Sequence, residues 1–183
     1  MKSKTRWLLV STLLASAAAV AQPPPAQQPP AFSGGPPPGP PRPHPLAASP
    51  SMAAAMKIVH AAIAECHAFH IGVTVLDAAG YPKLIYIPDG SDGFHAYMAF
   101  RKANTALKFR MPSGKVEAAM KTNPRLAAQY QADVADFITF AGGLTLWSGK
   151  TLLGAVGVSG AEPSAVDEGC AAAGIKAARR LLK

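Results

Sequence analysis

Thirteen of the chain's 18 prolines fall between residues 22 and 50, and that concentration divides the sequence before any other feature does. Pro23-Pro24-Pro25, Pro36-Pro37-Pro38 and Pro40-Pro41 offer no backbone N–H to a helix or sheet. Aliphatic anchors are almost absent around them. The stretch reads as an extended polyproline-type tether, a spacer more readily than a ligand for a proline-binding partner. Ahead of it, Lys2, Lys4 and Arg6 precede an apolar run from Trp7 to Val20 that closes on Ala19-Val20-Ala21. A charged start, a short apolar centre and a small-x-small end make a secretory signal peptide. The run is too short, and too polar at Ser11-Thr12, to be a good membrane span. The expectation is a signal peptide over residues 1–21, a tether over 22–50, and a mature protein that begins at Gln22 and is periplasmic or secreted.

Residues 51–183 remain, 133 positions, enough for one ordinary domain with a real core. Three basic residues leave with the signal, so 15 Lys and Arg face 10 Asp and Glu, a net charge of +5. The charges are scattered. Nucleic-acid binding calls for basic clusters with aromatics between them, and none is visible. A modest positive field would favour an anionic ligand.

Hydrophobic periodicity lays out the domain. Ser51 is a fair N-cap for a helix over 51–69, whose Met52, Met56, Val59, Ile63 and Cys66 share one face. Ile71 to Leu76 reads as a buried strand. Asp77-Ala78-Ala79-Gly80 is a hairpin turn, with Leu84 to Ile87 as the return strand. After the polar loop Asp89 to Gly93, a central helix runs from Phe94 to Phe109. Ser113 caps a short helix to Met120, and Asn123-Pro124 starts another that ends near Gln131. Phe137 to Phe140 reads as an apolar strand. A second hairpin pairs Leu144–Trp147 with Thr151–Val158 across Ser148-Gly149-Lys150, and glycines in its second arm point to close backbone or helix approach. Ser164 with Asp167 and Glu168 looks like a capping signature for a final helix. Its apolar face is Val166, Cys170, Ala173, Ala177 and Leu181. The fold class that follows is α+β: a central antiparallel sheet from two hairpins, with the N- and C-terminal helices packed on one face.

The usual catalytic signatures are missing: no phosphate-cradling loop, no dinucleotide fingerprint, no nucleophile elbow, no paired Cys or His at zinc spacing. Cys66 and Cys170 are the only cysteines, and in an exported protein an even pair is a disulfide candidate. One falls near the end of the first helix and the other near the start of the last, so antiparallel packing would join them. His67 and His70, three apart with His60 upstream, form a weak metal-site candidate, since a site needs more ligands and a second shell.

Three stretches carry a family resemblance across nearly the whole domain. They are Val75-Leu76-Asp77-Ala78-Ala79-Gly80; Ala99-Phe100-Arg101-Lys102-Ala103-Asn104-Thr105-Ala106; and Gly154-Ala155-Val156-Gly157-Val158-Ser159-Gly160 followed by Asp167-Glu168-Gly169-Cys170-Ala171. In these the chain resembles the GlcG/HbpS-like haem-binding (haem-degrading) family, related to the PduO C-terminal domain. The resemblance implies a single α+β domain, assembly into homo-oligomers, and haem as the ligand, with slow haem degradation or a haem- and redox-sensing role beside a membrane sensor protein in some members. The loop Gly90 to His95 departs from the family pattern, so His95 is a feature of this chain.

For such a ligand the residues point to the start of the central helix. His95 is the only histidine outside the tether and the first helix with its end at His70, and an axial iron ligand is usually His and sometimes Tyr. His95 is therefore the leading iron ligand and Tyr97 the runner-up. Phe94 and Tyr97 offer apolar contact, and Arg101 and Lys102 could reach the propionates. His67, His70 and the weakly binding hydroxyl of Thr105 compete for the iron. The alternative is a non-enzymatic interaction or sensor-accessory module that binds a different small ligand.

Overall fold

Ser51 accepts a hydrogen bond from the Ala54 N–H at 3.1 Å and so starts α1, Met52–Glu65. The computed structural model describes residues 46–183; the signal segment and residues 22–45 of the tether lie outside the described residues. Helix α1 stops at Glu65, short of the expected 69. Cys66 to His70 instead make a tight turn, with the Phe69 N–H donating to the Cys66 carbonyl at 2.9 Å, because the chain must reverse onto the sheet here. His67 and His70 are thus not neighbours on a helix.

Strand β1 (Gly72–Asp77) turns into β2 (Pro82–Tyr86). Asp77 Oδ1 accepts from the N–H groups of both Ala79 and Tyr81 at 2.9 Å, and Gly80 takes φ +90°, which a glycine adopts without strain. Asp92 caps α2 (Gly93–Phe109) by accepting from the His95 N–H at 3.0 Å. A 3-10 turn (Ser113–Lys115) leads to α3 (Val116–Thr122) and α4 (Pro124–Gln131). Asn123 caps α4 and Pro124 occupies its first turn, as expected. Strands β3 (Gly143–Ser148) and β4 (Thr151–Ser159) form the second hairpin, and α5 runs Ser164–Ala178. No described helix is long and apolar enough to cross a membrane.

The two hairpins merge through β1 and β4 into one antiparallel sheet of order β2-β1-β4-β3. Side chains alternate across it. Val73, Val75, Val156 and Val158 point to α1 and α5, where Ile58, Val59 and Ala171 complete the core. Leu76 and Ala155 point the other way, to Ala103 and Leu107 of α2. The terminal helices therefore cover one face, as the sequence pattern implies, and α2 covers the other. Cys66 and Cys170 are both buried and joined as a disulfide, with Cα atoms 5.9 Å apart.

Four expectations are corrected. Phe137–Phe140 is not a strand. Its backbone is satisfied by side chains: Ile138 N–H donates to Thr105 Oγ1 at 2.8 Å, Arg101 donates to the Phe137 carbonyl, and Ser113 donates to the Phe140 carbonyl at 2.6 Å. With its polar groups so paired, the segment needs no strand partner. Ser113 in turn accepts from the Gly143 N–H at 2.9 Å, so it clamps two segments and caps no helix. Ser164 is also no cap: it is the first residue of α5, and Pro163 holds the N-cap position. The buried side of α5 is Asp167, Cys170, Ala171, Gly174 and Ala178, while Ala177 and Leu181 face out. Close packing chose this side, since a Cβ at Gly174 would meet the Ile58 carbonyl at 2.6 Å.

Candidate functional site

Alanines bring α2 unusually close to the sheet. Ala96, Ala99, Ala103 and Ala106 are buried along one side of it. Opposite them, a Cβ at Gly157 would overlap the Ala99 carbonyl, and one at Gly72 would strike the backbone of His95 and Ala96. Thr74 reaches from the sheet to donate to the Ala96 carbonyl at 3.2 Å. This contact fixes the N-terminal turn of α2 over the ends of β1 and β4, beside the segment that leads into α5.

Between these elements lies an open groove of about 700 Å³, lined by Phe94, His95, Met98 and Lys102 of α2, by Phe140, and by Ser159 to Ser164 with Asp167. That volume lies within the range of small-molecule and cofactor sites, roughly 300–1,000 Å³. Phe94 and Phe140 are 63% and 58% exposed, so a bound ligand could cover considerable aromatic surface.

His95 has a defined setting. Its Nδ1 lies 3.5 Å from Ser91 Oγ and 3.7 Å from Asp92 Oδ1. Ser91 donates its own proton to the His70 carbonyl at 2.9 Å, which leaves its lone pairs for the imidazole. Nε2 is the ring nitrogen with no partner among the described residues. A metal-binding histidine is commonly oriented in this way, through a hydrogen bond at its other nitrogen.

Lys102 and Asp167 form the groove's buried floor. Both side chains are 2% exposed, with Nζ donating to Oδ2 at 2.7 Å. Asp167 Oδ1 also accepts from the Ala161 N–H at 2.9 Å, which ties the β4–α5 segment to the pair. Burial pushes the Lys102 ammonium below the usual lysine range, opposed by the hydrogen bond and charge of Asp167. Burial pushes the Asp167 carboxyl up, opposed by Lys102, by the Ala161 N–H and by the charge of His95.

The structure brings Phe94, His95 and Lys102 together in this groove. It does not bring Tyr97, Arg101 or Thr105 there. Tyr97 is half exposed, with the Arg101 guanidinium 5.8 Å above its ring. Arg101 donates to the Val134 and Phe137 carbonyls. Thr105 is buried, donating to the Arg101 carbonyl at 2.8 Å and accepting from Ile138. His67 and His70 are exposed and line no part of the groove. Among the described residues no group of three or more His, Cys, Asp or Glu could hold a metal ion.

Asp167, Met98 and Phe140 were not foreseen as site residues. Asp167 left one signal in the sequence. Lys102 stands on the same helical stripe as Ala99 and Ala106, and a lysine on a buried stripe needs a carboxylate.

The family model described as "Haem degrading protein HbpS-like" matches residues 51–176. The chain belongs to this family. No curated protein matches it significantly. Among solved structures it is similar to a Klebsiella pneumoniae protein, ORFY, at 21% identity and TM-score 0.66, over 76% of this chain and 97% of that one. It is similar to the PduOC:haem complex at 22% identity and TM-score 0.63, over 70% and 94%. HbpS itself superposes at 26% identity and TM-score 0.62, over 73% and 92%.

Proposed function

We propose that this protein binds haem in the groove between α2 and the β4–α5 segment, with His95 as the axial iron ligand. The observation that carries the reading is the imidazole itself: among the described residues it is the only one lining the groove, its Nδ1 is engaged and its Nε2 is not. Phe94, Met98 and Phe140 would lie against the macrocycle. Bound haem supplies a redox-active iron whose behaviour depends on its axial ligand and surroundings. The protein's part is to orient the imidazole through Ser91 and Asp92 and to hold the floor rigid through Lys102 and Asp167. Arg101 and Lys102, the cations expected at the propionates, are already engaged within the protein. Membership of the HbpS-like family supports haem as the ligand, and a haem-degrading or redox-sensing accessory role would build on that binding.

Titration with haemin tests the reading. A Soret shift that saturates near one haem per chain is expected. A folded protein that gives no shift would leave the non-enzymatic module with another small ligand as the function.

Export and assembly complete the proposal. The charged, apolar and small-residue segments support cleavage after Ala21, and sequencing the native N-terminus should read from Gln22; a retained Met1 in a membrane fraction contradicts it. A small domain with few charged residues supports a homo-oligomer, which light scattering of the mature protein measures.

A further inference from the structure

The sheet's antiparallel order gives the domain two unlike ends. Gly72 lies opposite Ser159 at the groove end, and Asp77 opposite Gly154 at the other. Both hairpin turns fall at that second end. Helix α5 finishes there and α1 begins there: Cys66 at the end of α1 is linked to Cys170 in the first half of α5, Gly174 packs further along on Ile58, and the Ala78 N–H of the first hairpin donates to the Ala48 carbonyl just ahead of α1.

This hairpin end is basic. Lys150 in the β3–β4 turn and Lys176, Arg179, Arg180 and Lys183 at the end of α5 are all exposed, and none makes an ion pair among the described residues. Residues 137–161 and 169–183 contain no Asp or Glu at all. Cations at a helix C-terminus complement its dipole, but only Lys176 lies in the last turn of α5, so the dipole does not account for the cluster. Trp147 and Leu181 stand among these cations, 40% and 45% exposed. A cleft of about 360 Å³ runs between Trp147, Ile175, Lys176, Arg179 and Leu182. The groove end is richer in acids, with Glu65, Asp89, Asp92, Glu162 and Glu168 around it; at the hairpin end the acids Asp77 and Asp133 lie by the β1–β2 turn, where Asp77 is engaged by the Ala79 and Tyr81 N–H groups.

We propose that the hairpin end docks on an anionic lipid surface. Long cationic stems around an exposed Trp and Leu suit the headgroup region, where the rings and aliphatic carbons enter the boundary and the charges stay with phosphate. A fluid anionic surface can satisfy all five cations at once, whereas an acidic protein partner would need a matching rigid contour. Docked this way, the groove faces away from the lipid. The inference does not depend on what the groove binds.

Co-sedimentation with vesicles tests it, using the full mature chain. The protein should pellet with phosphatidylglycerol–phosphatidylcholine vesicles at low salt and stay in solution with pure phosphatidylcholine. Binding should fall with added salt as screening sets in, and by about fivefold for each cation removed. Arg179→Glu with Arg180→Glu should abolish pelleting, and Lys150→Glu with Lys183→Glu serves as a second pair should the first fail to fold. Trp147→Ser should weaken binding that survives in salt. Equal partition into both vesicle types, or undiminished binding by folded charge-reversed protein, would overturn the proposal. Retention on immobilised polyglutamate without any vesicle binding would assign the surface to an acidic protein partner and overturn it equally.

Discussion

The two faces of the sheet solve the packing problem in opposite ways. Toward α1 and α5 the interface is built from Val73, Val75, Val156, Val158, Ile58 and Val59, large aliphatics that interdigitate, with a disulfide fastening the two helices. Toward α2 it is built from alanines and glycines, with Thr74, Lys102 and Asp167 buried at its margin. The first face stabilises by buried apolar area and the disulfide. The second lets backbones approach closely, so polar groups there are held by specific partners rather than by bulk. The contrast teaches where function can sit. A groove with a fixed imidazole and a buried ion pair needs rigid short-range geometry, and only the α2 face has it.

The largest expected effect lies in the ion pair. Lys102→Met or Asp167→Asn each leaves one buried charge unpaired and should cost about 3–5 kcal/mol in denaturant unfolding. The double variant Lys102→Met with Asp167→Leu should recover most of that. The single variants should also differ in pH dependence. In Lys102→Met the Asp167 carboxyl, already raised by burial, loses its counter-charge. The folded state then holds that proton better than the unfolded one, so stability should fall as pH rises through the raised value. In Asp167→Asn the Lys102 ammonium, already lowered by burial, releases its proton more readily when folded. That variant should regain stability as pH rises toward the ordinary lysine range. Parallel pH profiles for the two would show that the pair is not the dominant charge interaction at the floor.

On the aliphatic face, Ile58→Ala should cost about 2–5 kcal/mol through lost burial and a residual cavity, while groove ligand affinity stays unchanged. A matching loss of affinity would mean that the two faces are not independent. Replacing both Cys66 and Cys170 by Ser should cost about 2–4 kcal/mol, since the link spans 104 residues of chain and constrains the unfolded state. Thiol labelling of the unfolded, unreduced wild type should find no free cysteine.

Much of this contrast could be read in the sequence. The hairpins follow from period-two patterning and from Asp77 and Gly80, and α4 from Asn123-Pro124. The cysteine pairing follows from the order of the two terminal helices. What could not be read depends on neighbours distant in sequence. Phe137–Phe140 has strand composition, yet Thr105, Arg101 and Ser113 satisfy its backbone. Local periodicity assigned α5 a face through Ala177 and Leu181, because it weighs side-chain size, whereas the helix turned Gly174 and Ala178 inward to approach α1. The site was half legible. His95 and Phe94 stand out as an imidazole and a ring beside a flexible loop. Tyr97 and Arg101 sit next to them in sequence, but helical geometry turns them away from the groove. Asp167 lies 65 residues from its partner Lys102, and no local pattern joins them.

Haemin titration of wild type beside His95→Ala and His67→Ala tests the central claim most directly. His95 should matter and His67 should not, because only the first lines the groove. The account predicts wild-type saturation and ferric spectrum for His67→Ala. For His95→Ala it predicts at least about tenfold weaker binding, in line with a loss of roughly 1.4 kcal/mol or more, and an altered Soret band. Wild-type affinity and an unchanged ferric spectrum in folded His95→Ala would contradict it.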